Sequence, residues 1–253
     1  INDRAMLHSD NAYFVPDISI TSHRCKTHTV SNTAFRGFGG PQGMLVIEDV
    51  IEHIARATGL DPLAVRLANL YGAGERAMTP YGMRVDDNPL PAMFESLLVS
   101  SDYRQRRDAV RVFNTRHRWC KRGIALTPVK FGISFTATHL NQAGALVHLY
   151  PDGSVLLNHG GTEMGQGLFT KIAQIVAHTL GVGAHCVRSS ASDTTKVPNA
   201  SATAASSGTD LNGKAAQNAA ITLRERLRQF AAEHFAVDPA AVVFTDGVVR
   251  AGH

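Results

Sequence analysis

The sequence predicts a mixed α/β (α+β) chain in two parts, and three observations carry that reading. Apolar residues at helical spacing follow a glycine-rich stretch near residue 40, a Pro151-Asp152-Gly153 turn separates two β-prone segments, and a second glycine-rich loop at 160–167 runs straight into another helical pattern. At 253 residues the chain is long enough for one large or two ordinary domains. A hydrophobic content of 44% and a charged content of 18% fit a globular protein, and the longest apolar runs, such as Ala143–Val147, fall far short of a membrane span. Composition divides the chain into a first part over 1–71, a connector over 72–95 where prolines and glycines cluster, and a second part over 96–253. The opening Ile-Asn-Asp-Arg suggests a piece of something longer, and three widely spaced cysteines suit a reducing cytoplasm.

Residues 1–32 hold few helix signals, which predicts short strands and loops, interrupted at Pro16. In Thr33–Gln42 the breakers Gly37, Gly39, Gly40 and Pro41 oppose both helix and strand, while Phe35, Arg36 and Phe38 are interleaved with them. Such a stretch reads either as a pocket wall, with glycines admitting a bound group close to the backbone, or as a buried turn with a stray arginine. A helix of about fifteen residues follows, with Met44, Ile47, Ile51, Ile54 and Thr58 on one face and Glu48, Asp49, Glu52, His53 and Arg56 on a solvated one. Gly59 stops it, and Asp61-Pro62 opens a second helix with a cap and a first-turn proline.

A helical region over Ala92–His117 breaks near Ser100–Asp102. Its basic run, Arg104 to Arg122, could be a nucleic-acid patch, but Tyr103, Val110, Phe113 and Trp119 at roughly helical spacing favour a solvated helix face. Gly123–Thr138 alternates apolar and small residues and predicts a strand with Pro128 at an edge or kink. A hairpin is expected at 145–150 and 154–158. The loop 160–167 then leads into a helix over Leu168–Leu180, and free backbone donors at that helix start suggest an anion site rather than a plain turn. It matches neither a nucleotide phosphate loop nor the dinucleotide spacing. Beyond a strand near Val187–Ala191, the Ser/Thr/Ala-rich run 193–212 has linker composition, although Val197-Pro198-Asn199 and the helix after it favour an ordered loop. A helix over Gly213–Phe235 and a strand pair near Val242–Arg250, turning at Asp246-Gly247, complete the reading.

Taken in order, Ser31–Gly43, Pro128–Thr136, Leu140–Ala145, His159–Gly167 and Val197 through Ser206 resemble the molybdopterin-binding part of the xanthine oxidase family of molybdenum hydroxylases, its xanthine dehydrogenases above all. The resemblance runs from about residue 1 to about residue 225 and implies two molybdopterin-binding domains, both incomplete, on either side of the 72–95 connector. It implies a molybdenum–molybdopterin cofactor and the hydroxylation of hypoxanthine and xanthine to urate with water as oxygen source. It further implies [2Fe-2S] and FAD groups on other domains or subunits, NAD as acceptor, a homo-oligomer of heterodimers, a cytoplasmic location, and neither a nucleic-acid nor a membrane partner.

By motif position, Arg36 and Gly37 match residues beside the molybdenum centre. Phe38 and Phe135 match two phenylalanines flanking the substrate, with Thr136 beside it. Met164, Gly165, Gln166 and Gly167 match the loop around the pterin and its phosphate. Ala205, with Ala204, matches small residues pressed against the metal's ligands, and Ser206 is expected at the cofactor, so Arg36 and Ala205 are expected nearest the metal. Arg4, in Arg-Ala-Met-Leu-His-Ser-Asp-Asn, matches an arginine that pairs with a purine oxygen and that aldehyde oxidases replace. The family's general base, a glutamate in a Gly-Glu-Pro-Pro motif, has no counterpart here, and Glu163 is not its equivalent; no catalytic residue is therefore expected within these residues, which should be inactive alone. An aldehyde oxidase-like hydroxylase and a non-catalytic cofactor-binding module are the alternatives.

Overall fold

The computed structural model describes residues 1–197 and 200–252 and divides the chain into two compact units, Ile1–Gly132 and Ile133–His253. Pro198 and Asn199, part of the expected ordered loop, lie outside the described residues.

The first unit opens with a helix where strands were expected. Residues 2–8 are mostly helix formers, and α1 (Asn2–Met6) continues into tight turns in which Leu7, His8 and Asn11 donate to the carbonyls of Asp3, Ala5 and His8. Within 1–32 the β pairing among described residues is the bridge of Tyr13 with Leu70.

Helix α2 (Gly40–Thr58) begins inside the breaker stretch rather than after it. Gly39 caps it in a left-handed conformation and Pro41 occupies the first turn, where a missing N–H breaks no helical bond. Its buried stripe is Gly40, Gly43, Ile51 and Ala55, while Ile54 faces outward. Gly43 meets α1 so closely that a Cβ there would lie 2.2 Å from the Ala5 carbonyl oxygen. After Gly59 ends α2, the Asp61 carboxylate caps α3 (Pro62–Asn69) through the Leu63 N–H, as expected. Helices α4 (Leu90–Ser100) and α5 (Tyr103–Arg116) break where the sequence suggested, although Asp102 sits in the left-handed region and caps α5 with no side-chain bond. Ala12, Tyr13, Ile51, Leu63, Leu70, Phe94 and Tyr103 form the core.

The strand expected over Gly123–Thr138 does not form. Its run in the first unit is extended, but side chains take the place of a partner strand. Asn11 Nδ2 donates to the Pro128 carbonyl at 3.0 Å and its Oδ1 accepts from the Lys130 N–H at 3.0 Å. The Gly132 N–H donates to His8 Nε2 at 2.9 Å, and Arg4 donates to the Gly132 carbonyl.

The second unit pairs β1 (Ala145–Leu149) with β2 (Val155–His159) as the expected antiparallel hairpin, with Gly153 left-handed in the turn. Helix α6 (Leu168–Leu180) then crosses over to β3 (Val187–Ser189), parallel to β2. Leu168, Ile172, Val176 and Leu180 share one face of α6 and pack with Val155, Leu157 and the small residues Ala216 and Ala220 of α7 (Gly208–Phe235). A Cβ at Gly213 would stand 2.7 Å from Ile175 Cδ1, so small α7 residues set the α6–α7 approach. Strands β4 (Val242–Thr245) and β5 (Val248–Ala251) turn at Asp246-Gly247, both left-handed. No helix among the described residues is long and apolar enough to cross a membrane.

Two effects oppose each other at Gly43. Alanine there gains about 1 kcal/mol of helix propensity, whereas a Cβ against main chain costs roughly 1–3 kcal/mol of overpacking. At 2.2 Å the second wins. Gly43→Ala is expected to lower stability by up to about 2 kcal/mol, read as a lower urea midpoint at constant slope; an unchanged midpoint would mean that α1 yields freely.

Candidate cofactor and substrate site

In the first unit, Gly37, Phe38 and Gly39 form a tight turn with φ of 95°, 52° and 104°, closed by the Phe38 N–H on the Phe35 carbonyl at 2.7 Å. That turn leaves Arg36 and Phe35 (81%) well exposed and Phe38 41% exposed, so two apolar rings and a guanidinium reach the surface of this unit. Arg4 is the opposite, 5% exposed, with its guanidinium 5.1 Å from the Phe131 ring and donating to the Gly132 carbonyl. Burial pushes its pKa down from the ordinary value.

The solvated acidic face expected on α2 is corrected here. Glu48 turns inward, accepting from the Tyr13 hydroxyl at 2.6 Å, Asn11 Nδ2 at 3.0 Å and Arg66 Nε at 2.9 Å, and Arg66 Nη2 reaches Glu52 at 2.8 Å. Arg66 is buried, so the pair tolerates the interior only because its polar atoms find several partners. Burial, aided by Glu48, raises the Tyr13 hydroxyl's pKa and keeps it a donor. Asp10 works similarly, accepting from Tyr71 at 2.6 Å and from Lys130 Nζ at 2.8 Å. A solvated-face pattern hides such inward carboxylates because helical spacing alone does not reveal a buried arginine partner on another helix.

The second unit gathers three segments singled out in the sequence. The Ser134 N–H donates to the Ala205 carbonyl at 2.8 Å, and the Thr162 N–H to Thr203 Oγ1 at 2.8 Å. Phe135 is held by both ends of one amide: its N–H donates to Asn141 Oδ1 at 2.8 Å and its carbonyl accepts from Asn141 Nδ2 at 2.9 Å. Where these segments meet, Ser134, Ala205 and Ser206 all have positive φ (78°, 58° and 57°), an uncommon state for residues with a Cβ. Thr136, Ala204 and Ser206 are exposed, Phe135 and Ala205 half-buried.

The expectation of free donors at the start of α6 is corrected. The Glu163 carboxylate already accepts from the N–H groups of Gly165 at 2.9 Å, Gly167 at 3.0 Å and Phe169 at 3.0 Å. Met164 N–H donates to Gln166 Oε1 at 2.6 Å, and Gln166 Nε2 to the Thr162 carbonyl at 2.9 Å. The first-turn amides hold the Glu163 carboxyl below its ordinary pKa. An acidic residue just ahead of a glycine-rich helix start was the available signal for this. At the root of the loop His159 is buried, accepts from the Gly161 N–H at 3.1 Å and meets Phe169 edge-on at 4.9 Å, and burial lowers its pKa.

Whether these residues suit a pterin cofactor is tested at Gly165, where an added Cβ meets nothing within 4 Å, and at Met164, which is 66% exposed. The edge Met164–Gly165–Gln166 is open on its outer side even though its amides are taken, and the 203–206 segment is bonded beside it, so the residues fit a flat polar ligand laid along the loop. Among the described residues no group of three or more His, Cys, Asp or Glu side chains could hold a metal ion.

Two family models described as molybdopterin cofactor-binding domain match the chain, one over residues 1–70 and one over 96–252. The chain belongs to the molybdopterin cofactor-binding domains of the xanthine oxidase family. It is similar to xanthine dehydrogenase/oxidase of Gallus gallus (49% identity over 227 residues, 90% of this chain and 17% of that protein) and to xanthine dehydrogenase of Emericella nidulans (50% over 228 residues, 90% and 17%). Nicotinate hydroxylase hnxS of Emericella nidulans stands at 48% over 232 residues, 91% of this chain and 17% of that protein. The chain thus spans about 17% of the length of these relatives. Quinoline 2-oxidoreductase from Pseudomonas putida shares the fold, with a TM-score of 0.72 at 22% identity over 99% of this chain and 33% of that one.

The Glu163 geometry sets a pH window. A carboxyl depressed in the folded state adds stability that is complete above its unfolded pKa and lost as pH falls through the folded one. Amide exchange at Gly165, Gly167 and Phe169, corrected for intrinsic rates, is expected to accelerate on acidification, and in Glu163→Gln to be fast at every pH. Equal protection in the variant would remove Glu163 as the brace of this loop.

Proposed function

We propose that this chain is the central part of the molybdenum-cofactor subunit of a xanthine dehydrogenase, hydroxylating hypoxanthine and xanthine to urate with water as oxygen source. The observation that carries the choice of purine is Arg4, in a chain about half identical to xanthine dehydrogenases, with its charge withdrawn from water against Phe131. When bound, the molybdenum–molybdopterin cofactor supplies oxygen insertion and takes up two electrons. Met164, Gly165, Gln166 and Gly167 with Ala204, Ala205 and Ser206 would hold it, and Arg36 and Gly37 would line its metal end. Phe38 and Phe135 would flank the purine ring, fixing its plane and excluding water, with Thr136 at its edge. Negative charge builds on the purine in the transition state, and a guanidinium in a low-dielectric setting stabilises it there more than in the ground state.

The reading brings with it [2Fe-2S] and FAD modules elsewhere in the protein, NAD as electron acceptor, a homo-oligomer of heterodimers and a cytoplasmic setting. It places the two cofactor-binding domains at 1–71 and 96–253 around the 72–95 connector.

A second reading has its own support: the 48% identity with nicotinate hydroxylase points to another N-heterocycle. Arg4 suits both substrates, but differently. Nicotinate carries its charge before reaction, so losing Arg4 would chiefly raise KM, whereas charge arising on a purine makes the loss fall on kcat. In the full enzyme, Arg4→Met is expected to lower kcat/KM for xanthine about 10²-fold, mainly in kcat, while sparing small aldehydes. Undiminished xanthine turnover would end the purine reading, and a KM-only loss confined to nicotinate would favour the second.

A further inference from the structure

His8 is 3% exposed, and both of its ring nitrogens are engaged. Nδ1 lies 2.7 Å from the Arg4 carbonyl oxygen and Nε2 lies 2.9 Å from the Gly132 nitrogen. A carbonyl only accepts and a backbone N–H only donates, so Nδ1 carries the proton and Nε2 is bare: the ring is neutral in a single tautomer. The other polar group of Gly132, its carbonyl, accepts from the Arg4 guanidinium. Gly132 is therefore gripped at both ends by residues one helical turn apart, with the Phe131 ring 4.8 Å from His8 and 5.1 Å from the Arg4 guanidinium.

We propose that His8 is a positioning residue for the purine: it fixes Gly132, and through Gly132 the guanidinium of Arg4, and it does so only while its ring is neutral. The inference rests on the substrate role assigned to Arg4. Protonation of Nε2 would remove the acceptor for the Gly132 N–H and add a positive charge near Arg4 and Lys130, with Asp10 opposing. Burial lowers the pKa of this ring, as do the charges of Arg4 and Lys130, against the Arg4 carbonyl bond and Asp10, which raise it. The sign follows: the clamp is complete above the ordinary imidazole pKa and is lost as pH falls through the lower, folded value.

The test uses the full holoenzyme and three variants, Arg4→Met, His8→Asn and His8→Gln, with kcat/KM against pH for xanthine and for a small aldehyde, and equilibrium binding of xanthine by calorimetry. Asparagine retains a donor near Nδ1 but no acceptor for Gly132, and about a tenfold loss of kcat/KM, falling on kcat and confined to xanthine with its equilibrium binding little changed, is expected, the size of one buried hydrogen bond. Glutamine places a non-titrating acceptor near Nε2, so it should recover most of the loss and flatten the acid limb. Equal losses on both substrates, or an unaltered acid limb in His8→Gln, would overturn the inference. If Arg4→Met leaves xanthine untouched, the Arg4 reading itself fails; if Arg4→Met loses xanthine and His8→Asn does not, only the role of His8 falls.

Discussion

An extended segment without a partner strand is the constraint on which the first unit depends. Backbone from Pro128 to Gly132 needs hydrogen bonds that water cannot supply where it is covered. Asn11, His8 and Arg4 supply them, and Asn11 reproduces what a neighbouring strand would offer, a donor to the Pro128 carbonyl and an acceptor for the Lys130 N–H on either side of Val129. Asn11 is itself buried, held in a left-handed conformation and tied to Glu48, which binds Tyr13 and the buried Arg66. One polar network thus runs from the extended segment through the N-terminal turns into α2 and α3. Removing one member leaves its own buried partners short of a bond, at about 1–3 kcal/mol for a neutral group left unpaired and more for a charge.

That network explains what was legible. Segments whose signal is local were read correctly: the Asp61-Pro62 cap, the break between α4 and α5, the Pro151-Asp152-Gly153 hairpin, the Asp246-Gly247 turn and the helix after Gly167 all follow from residues within a few positions of one another. Failures came where distant side chains replaced a local partner. Alternation over Gly123–Thr138 looked like a strand because extended backbone has that period whether a ladder or a row of side chains pairs with it. The signal was nevertheless present in Arg4, His8 and Asn11, spaced four and three apart as on one helical face. Gly40 and Pro41 misled differently: a breaker interrupts a helix interior but starts one well. Of the candidate site, the motifs singled out three segments that the second unit bonds together, and the helix-start rule failed because a carboxylate from the same loop already sat there.

That carboxylate bears on how a cofactor is held. Three amides of the 165–169 run converge on Glu163, so the loop has its shape without any ligand and little backbone ordering remains to be done on binding. The same bonds close the helix start to a phosphate, since a second anion beside Glu163 would meet repulsion where the dipole alone predicts attraction. A ligand laid along this loop would then be held by neutral contacts along Met164–Gln166 and by the segment around Ala205, which the Thr162–Thr203 bond ties to the loop. Positive φ at Ala205 and Ser206 costs of order 1 kcal/mol or more each, and the Ser134–Ala205 and Thr162–Thr203 bonds are what hold them there. Glycine would relieve that strain, so a methyl group at position 205 has no justification in backbone stability. Its effect is steric, a small apolar surface beside the 162–167 loop to which the Thr162–Thr203 bond ties this segment.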